Sequence, residues 1–311
     1  MTDTPASMPA PSASAAAGPA SRGAGAGRFK GAGNYLALIP FHAYVGLFLV
    51  LPTLIVTLGA FQTADGQFTL DNIRAMFTTD VFIDSFAKSI QLGVITALIG
   101  AVFGALLAWA VVRGDPNGLL RQFVIAASGV FAQFGGVMLA FGFLATFGFN
   151  GLITMFLKNN LGMKGLDVSW IYEMAGLAVV YAYFQIPLML IVFLPSLDGL
   201  RQEWYDASAS LGGTSWSFWR HVGGPILAPS FLGALLLLFT NAFSAYATAA
   251  ALVSQGAPII TLQIGNALTS EVVLGRENVG KAIALGMIVI VSLVMTLYAL
   301  IQRRASRWVK Q

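Results

Sequence analysis

Long apolar runs recur along the chain at residues 36–61, 89–112, 123–147, 175–194, 226–247 and 282–301. Each matches the roughly 20 residues that an α-helix needs to cross the hydrocarbon layer. None keeps the period-two alternation of a lipid-facing barrel strand, and backbone amides in lipid must be paired within their own segment. The pattern therefore predicts an all-α, polytopic protein with six transmembrane helices. The first 33 residues differ: Ala, Pro, Ser and Gly dominate, too few large apolar side chains are present to bury a core, and a disordered tail is expected. Residues 34–311 form the membrane domain. The run at 36–61 is too long, and starts too late, for the core of a cleaved leader, so it is expected to remain as the first span.

Composition agrees with a lipid-solvated chain: 57% of residues are hydrophobic and 10% charged. There is no cysteine and histidine occurs only at His42 and His221, which excludes disulfide frameworks, zinc ribbons, thiol nucleophiles and His-rich sites. No metal or cofactor is expected. The net charge of +4 is read by position and not as a nucleic-acid footprint. With both termini on the cytoplasmic face of the inner (plasma) membrane, that face collects Arg22, Arg28, Lys30, Arg113, Arg121, Arg201, Arg220, Arg303, Arg304, Arg307 and Lys310. Asp65, Asp71, Asp80, Asp84, Asp167, Glu173, Glu271 and Glu277 fall outside with the fewer cations Arg74, Lys88, Lys158, Lys164, Arg276 and Lys281. This is the positive-inside arrangement.

The connection between the fourth and fifth runs, residues 195–225, lies on the cytoplasmic side and has the pattern of a folded element. Asp198 can cap a helix, Leu200, Tyr205, Ala209 and Leu211 supply apolar positions, and Gly212 and Gly213 end it. A second amphipathic stretch at 215–222 carries Trp216, Phe218 and Trp219 beside Arg220 and His221, and Pro225 and Pro229 are expected to close it. A long ordered loop with two aromatic-bearing halves calls for a partner surface.

These residues resemble the EAA signature of type I ATP-binding-cassette (ABC) importer permeases. Asp206, Ala207 and Ser208 stand at the E-A-A positions, Gly212 at the glycine, and Val222, Gly224 and Pro225 at the I-x-L-P end. The spacing is kept. Asp for Glu, Ser for Ala, Val for Ile and Gly224 for Leu are departures. The resemblance implies a cytoplasmic coupling helix between spans four and five, with Asp206, Ala207, Ser208, Gly212, Val222 and Pro225 engaging a separate ATPase. It also implies two ATPase subunits, a second permease subunit, identical or homologous, and an extracytoplasmic solute-binding protein. Phe68-Thr69-Leu70-Asp71-Asn72, Tyr183-Phe184-Gln185-Ile186-Pro187 and Glu277-Asn278-Val279-Gly280 resemble the spermidine/putrescine-type branch, which implies a polyamine as solute. Iron(III), phosphonate, thiamine and sulfate branches share much of the pattern.

Polar side chains inside spans are costly and point to a path or to interhelical hydrogen bonds. Gln133, Gln185, Asn241, Ser244 and Tyr246 are the candidates for a translocation path; Phe131, Phe134, Tyr181 and Tyr183 could add cation-π contacts. Gly100 and Gly104, four apart, predict close helix packing. No Asp or Glu sits inside a predicted span, which disfavours the alternative of an ion-coupled secondary transporter. Gly275 to Ala282 reads as a P-loop until Ala282 replaces the magnesium-binding hydroxyl, and no strand is predicted before it. ATP hydrolysis is accordingly expected from another chain.

Overall fold

The computed structural model describes residues 30–163, 167–253, 259–269 and 276–309. Arg22 and Arg28 of the tail, Lys164, Glu271, Gly275 and Lys310 lie outside the described residues. The chain divides into two compact units, Met1–Thr53 and Leu54–Gln311. The first contains α1 (Lys30–Val45), which opens four residues inside the expected tail, and a π-helical turn (Gly46–Val50). Helix α2 (Leu51–Ala60) continues the same apolar run into the second unit.

The second unit continues with α3 (Asp71–Thr78), α4 (Asp80–Arg113), α5 (Leu119–Gln133), α6 (Gly136–Phe147), α7 (Leu152–Asn160), a 3-10 turn (Ser169–Tyr172) and α8 (Met174–Asp198). Then come α9 (Gln202–Ser210), α10 (Ser215–Phe218), a second π turn (Trp219–Gly223), α11 (Gly224–Ser244), α12 (Ala247–Leu252), α13 (Ile260–Thr269) and α14 (Arg276–Val309). Among the described residues the extended pairing is confined to an isolated bridge between Gln62 and Phe68. Six helical stretches are long and apolar enough to cross a membrane: Leu38–Ala60, Asp80–Arg113, Gly136–Asn160, Met174–Asp198, Ser215–Ser244 and Glu277–Arg303.

Two expected spans differ from their outlines. The run at 123–147 is not one helix: α5 stops at Gln133 and α6 restarts at Gly136, whose φ of 72° is left-handed backbone that a side chain disfavours. The run at 226–247 stops at Ser244 and restarts as α12. In lipid a broken helix survives only where neighbours take up the freed backbone groups.

The core is the α4–α8 seam, backed by α11. A Cβ on Gly104 would stand 2.5 Å from the Ile186 carbonyl oxygen, and one on Gly100 would stand 2.7 Å from Gln185 Cβ. Only glycine lets the two backbones approach so closely, as the Gly100 and Gly104 spacing predicts. Ala97, Ala101 and Ala108 continue the small face against Met189, Leu190 and Phe193. At one end of this seam Arg121 donates to Asp198 at 2.6 Å, tying the start of α5 to the end of α8. Asp198 is thus an ion-pair partner at the end of α8 and not the helix cap expected of it.

The segment that resembled a P-loop opens α14 directly at Arg276. Its Lys281 lies across Gly59 of α2 and donates to Asn278 Oδ1 at 2.8 Å, so the lysine packs two helix ends together. Beside the 3-10 turn, Asp167 accepts the Ser169 N–H at 2.9 Å, which holds its carboxyl below the usual carboxylate range.

Candidate functional site

Two places concentrate the singled-out residues. The first is the α9–α10 loop. Helix α9 buries none of its residues, yet it carries Trp204, Tyr205 and, just beyond its end, Leu211, which is 89% exposed. Gly212 turns the chain with φ 77°. A Cβ on Gly213 would stand 2.7 Å from the Ser208 carbonyl oxygen, so both glycines of the pair are required, one for its dihedral and one for space. Thr214 then caps α10 by accepting the Ser217 N–H at 3.3 Å.

The loop is folded back on itself. The Tyr205 ring meets Phe218 edge-on at 5.3 Å, and its hydroxyl shares a hydrogen bond with Ser215 Oγ at 2.9 Å. Phe218 is buried, whereas Trp216 is 73% exposed. Asp206 accepts from Gln202 Nε2 at 3.1 Å within α9. Asp206 and Ala207 are exposed and Ser208 half-buried, one turn before Gly212. Val222 lies in the π turn. Pro225 does not end the second stretch as expected: it is the second residue of α11, directly after the π turn within the continuous helical stretch Ser215–Ser244, and Pro229 lies within the same helix.

The second place is a cavity of about 370 Å³ where the two helix breaks meet. Gln133, Asn241, Ser244 and Tyr246 all line it, with Phe184, Gly135, Gly136 and Thr248. Gln185 does not. It is fully buried on the other side of α8, where its Nε2 donates to Thr96 Oγ1 at 3.2 Å and its Oε1 takes no hydrogen bond. Of the aromatics, Tyr181 is fully buried and Phe131 packs on Tyr183 at 5.8 Å, while Phe184 and Tyr246 are the rings at the cavity.

The groups freed at the breaks are taken up by named partners. The Gly136 N–H donates to Thr248 Oγ1 at 2.9 Å, joining α6 to the start of α12. The Ala245 carbonyl accepts from the Tyr181 hydroxyl at 3.0 Å and from Thr261 Oγ1 at 3.4 Å. Thr248, Tyr181 and Thr261 thus hold the breaks open. The sequence signal for the first break is Gly135-Gly136 in mid-run; nothing in the local pattern singles out Thr248. Tyr246 also faces a second, mostly apolar groove lined by Thr261, Ile264, Gly265, Leu268 and Thr269, so its ring stands between two cavities. A Cβ on Gly265 would come 3.0 Å from the Tyr246 hydroxyl.

Comparison with known proteins returns no matching family model. Among curated proteins the chain is similar to the trehalose transport system permease protein SugB of Mycobacterium tuberculosis, 28% identical over 76% of this chain and 78% of the relative. It is 24% identical to the sulfate transport system permease protein CysT of Escherichia coli, over 65% of this chain and 69% of the relative. Among solved structures, it matches a chain of a bacterial alginate ABC transporter in complex with a periplasmic protein carrying an alginate pentasaccharide. The TM-score is 0.65 at 17% identity, covering 87% of this chain and 94% of that one. A chain of the MetNI methionine ABC transporter matches with a TM-score of 0.52 at 15% identity, over 72% and 95%. The all-helical fold is that of ABC-transporter permeases.

Proposed function

We propose that this chain is the permease subunit of an ABC importer, multi-pass in the inner membrane with both termini cytoplasmic, moving a small solute across the bilayer while separate subunits hydrolyse ATP. The observation that carries the reading is α9: an aromatic-bearing helix with no buried residue, held in a fixed shape by Gly212, Gly213 and the Tyr205–Phe218 contact. A helix so ordered and so bare requires a partner surface.

In this reading α9 seats in an ATPase, with Asp206, Ala207, Ser208 and Gly212 at the contact and Val222 and Pro225 carrying its movement into α11. The connection is short. The π turn at Trp219–Gly223 runs directly into α11, whose far end is the Ser244 break at the cavity. Closure of two ATPases would therefore act on the break through one continuous helical stretch. Gln133, Asn241 and Ser244 are exposed on the isolated chain, and carboxamides facing hydrocarbon are costly. A second permease subunit covers them, which puts the path between subunits. An external binding protein delivers the solute.

The polyamine expectation rests on three short segments. Among the described residues no carboxylate lines the cavity, and the relatives described above are named for trehalose and sulfate, so a polyamine is not carried forward as the solute.

The test is Gly212→Arg. The variant is expected to insert and to assemble with its partner permease while ATP-dependent uptake and solute-stimulated ATPase activity fall by at least about tenfold, since the substitution places a bulky cation in left-handed backbone at the docking face. Normal stimulation of ATPase activity in that complex would refute the docking role.

A further inference from the structure

The cavity at the breaks narrows the solute's chemistry, on the reading of this chain as an importer permease. Its polar lining consists of two carboxamides, Gln133 and Asn241, and three hydroxyls, Ser244, Tyr246 and Thr248. Ser244 donates to the Thr240 carbonyl at 2.8 Å and Thr248 accepts from Gly136, so both have committed one direction of bonding. The carboxamides of Gln133 and Asn241 take no hydrogen bond from a described residue, and each offers two N–H donors and one carbonyl acceptor. Among the described residues, no carboxylate, ammonium or guanidinium lines the cavity.

The backbone adds no net sign. The C-terminal ends of α5 and α11, at Gln133 and Ser244, and the N-terminal ends of α6 and α12, at Gly136 and Ala247, all open on the cavity. Their partial charges are of both signs and offset one another. A dication or dianion at this depth would surrender its hydration with no described side chain of opposite charge on this chain's side of the path to receive it. A solute bearing paired donors and acceptors without net charge loses far less, because carboxamides and hydroxyls return both kinds of bond. The rings of Phe184 and Tyr246 give its apolar face a surface to lie on. The volume, about 370 Å³ on this chain alone, suits a small-molecule site.

We infer that the permeating solute is an uncharged, hydroxyl-rich molecule of the sugar or polyol class, selected at the helix breaks by Gln133 and Asn241. The experiment uses the intact importer, co-purified with its own ATPase and permease partners, in proteoliposomes with its binding protein. Uptake is measured for maltose, sucrose and myo-inositol against putrescine and sulfate, with and without ATP.

ATP-dependent uptake of at least one neutral probe and of neither ion is the expected result. Asn241→Asp and Gln133→Glu, which put a carboxylate in the cavity at nearly constant volume, should each lower that uptake by about tenfold or more, whereas Asn241→Gln should keep most of it. ATP-dependent uptake of putrescine or sulfate overturns the inference. So does failure of all three neutral probes in vesicles whose ATPase responds to the binding protein, a result that leaves the permease reading intact. If no ATPase co-purifies and no probe moves, both readings fall together.

Discussion

Helix α8 and the α5–α6 pair carry opposite sequence signals and opposite outcomes. Helix α8 holds Pro187 and Pro195 and still runs unbroken from Met174 to Asp198. The α5–α6 run has no proline and breaks at Phe134 and Gly135. Proline removes one N–H and leaves one carbonyl unpaired, a local defect that close packing against α4 tolerates. A full break frees several groups at once and persists only because Thr248 receives the Gly136 N–H, and because the other break has Tyr181 and Thr261 on the Ala245 carbonyl. What decides between a kink and a break is the partner supplied from elsewhere in the chain, not the breaker residue.

The contrast can be attacked at four points. Gly104→Leu should be the most damaging, since the added side chain meets the Ile186 backbone in the seam that keeps α8 continuous. We expect a loss of about 3 kcal/mol or more, seen as failure to recover folded protein in detergent. Gly136→Val should cost about 1–2 kcal/mol, because a β-branched residue is forced to positive φ at the break, and transport should drop at least about tenfold while membrane insertion persists.

Gln185→Met is expected to act in the other direction. It removes a buried oxygen that has no hydrogen bond and should leave stability unchanged or raise it by up to about 1 kcal/mol in a thermal scan. A clear loss would mean that the hydrogen bond from Gln185 Nε2 to Thr96 outweighs the unpaired Oε1. Pro187→Ala should have the smallest effect, less than about 1 kcal/mol, because α8 gains a backbone donor where it was already helical.

Much of this architecture was legible locally. The apolar runs placed the membrane helices because lipid leaves the backbone no choice but to be helical, and Gly212-Gly213 placed the turn after α9 because positive φ and a close carbonyl both select glycine. Gln133, Asn241, Ser244 and Tyr246 stood out as polar residues in apolar runs, and they do line one cavity. Gln185 carried the same signal and points the other way, into Thr96. Composition cannot tell the two faces of a helix apart when lipid, partner and path all border it. The breaks were hidden for a different reason. Gly136 and Thr248 are 112 positions apart, and only folding brings them together.

The wide turn at Trp219–Gly223 has a geometric consequence of its own. A π turn accommodates one more residue than an α turn. Absorbing that residue into regular α-helix would screw everything after it by about 100° and slide it by about 1.5 Å along the axis. Asn241 and Ser244, carried on α11, would then change the azimuth they present at its far end. On the proposed permease reading, absorbing that extra residue would turn a push at one membrane surface into a rotation in the bilayer's middle.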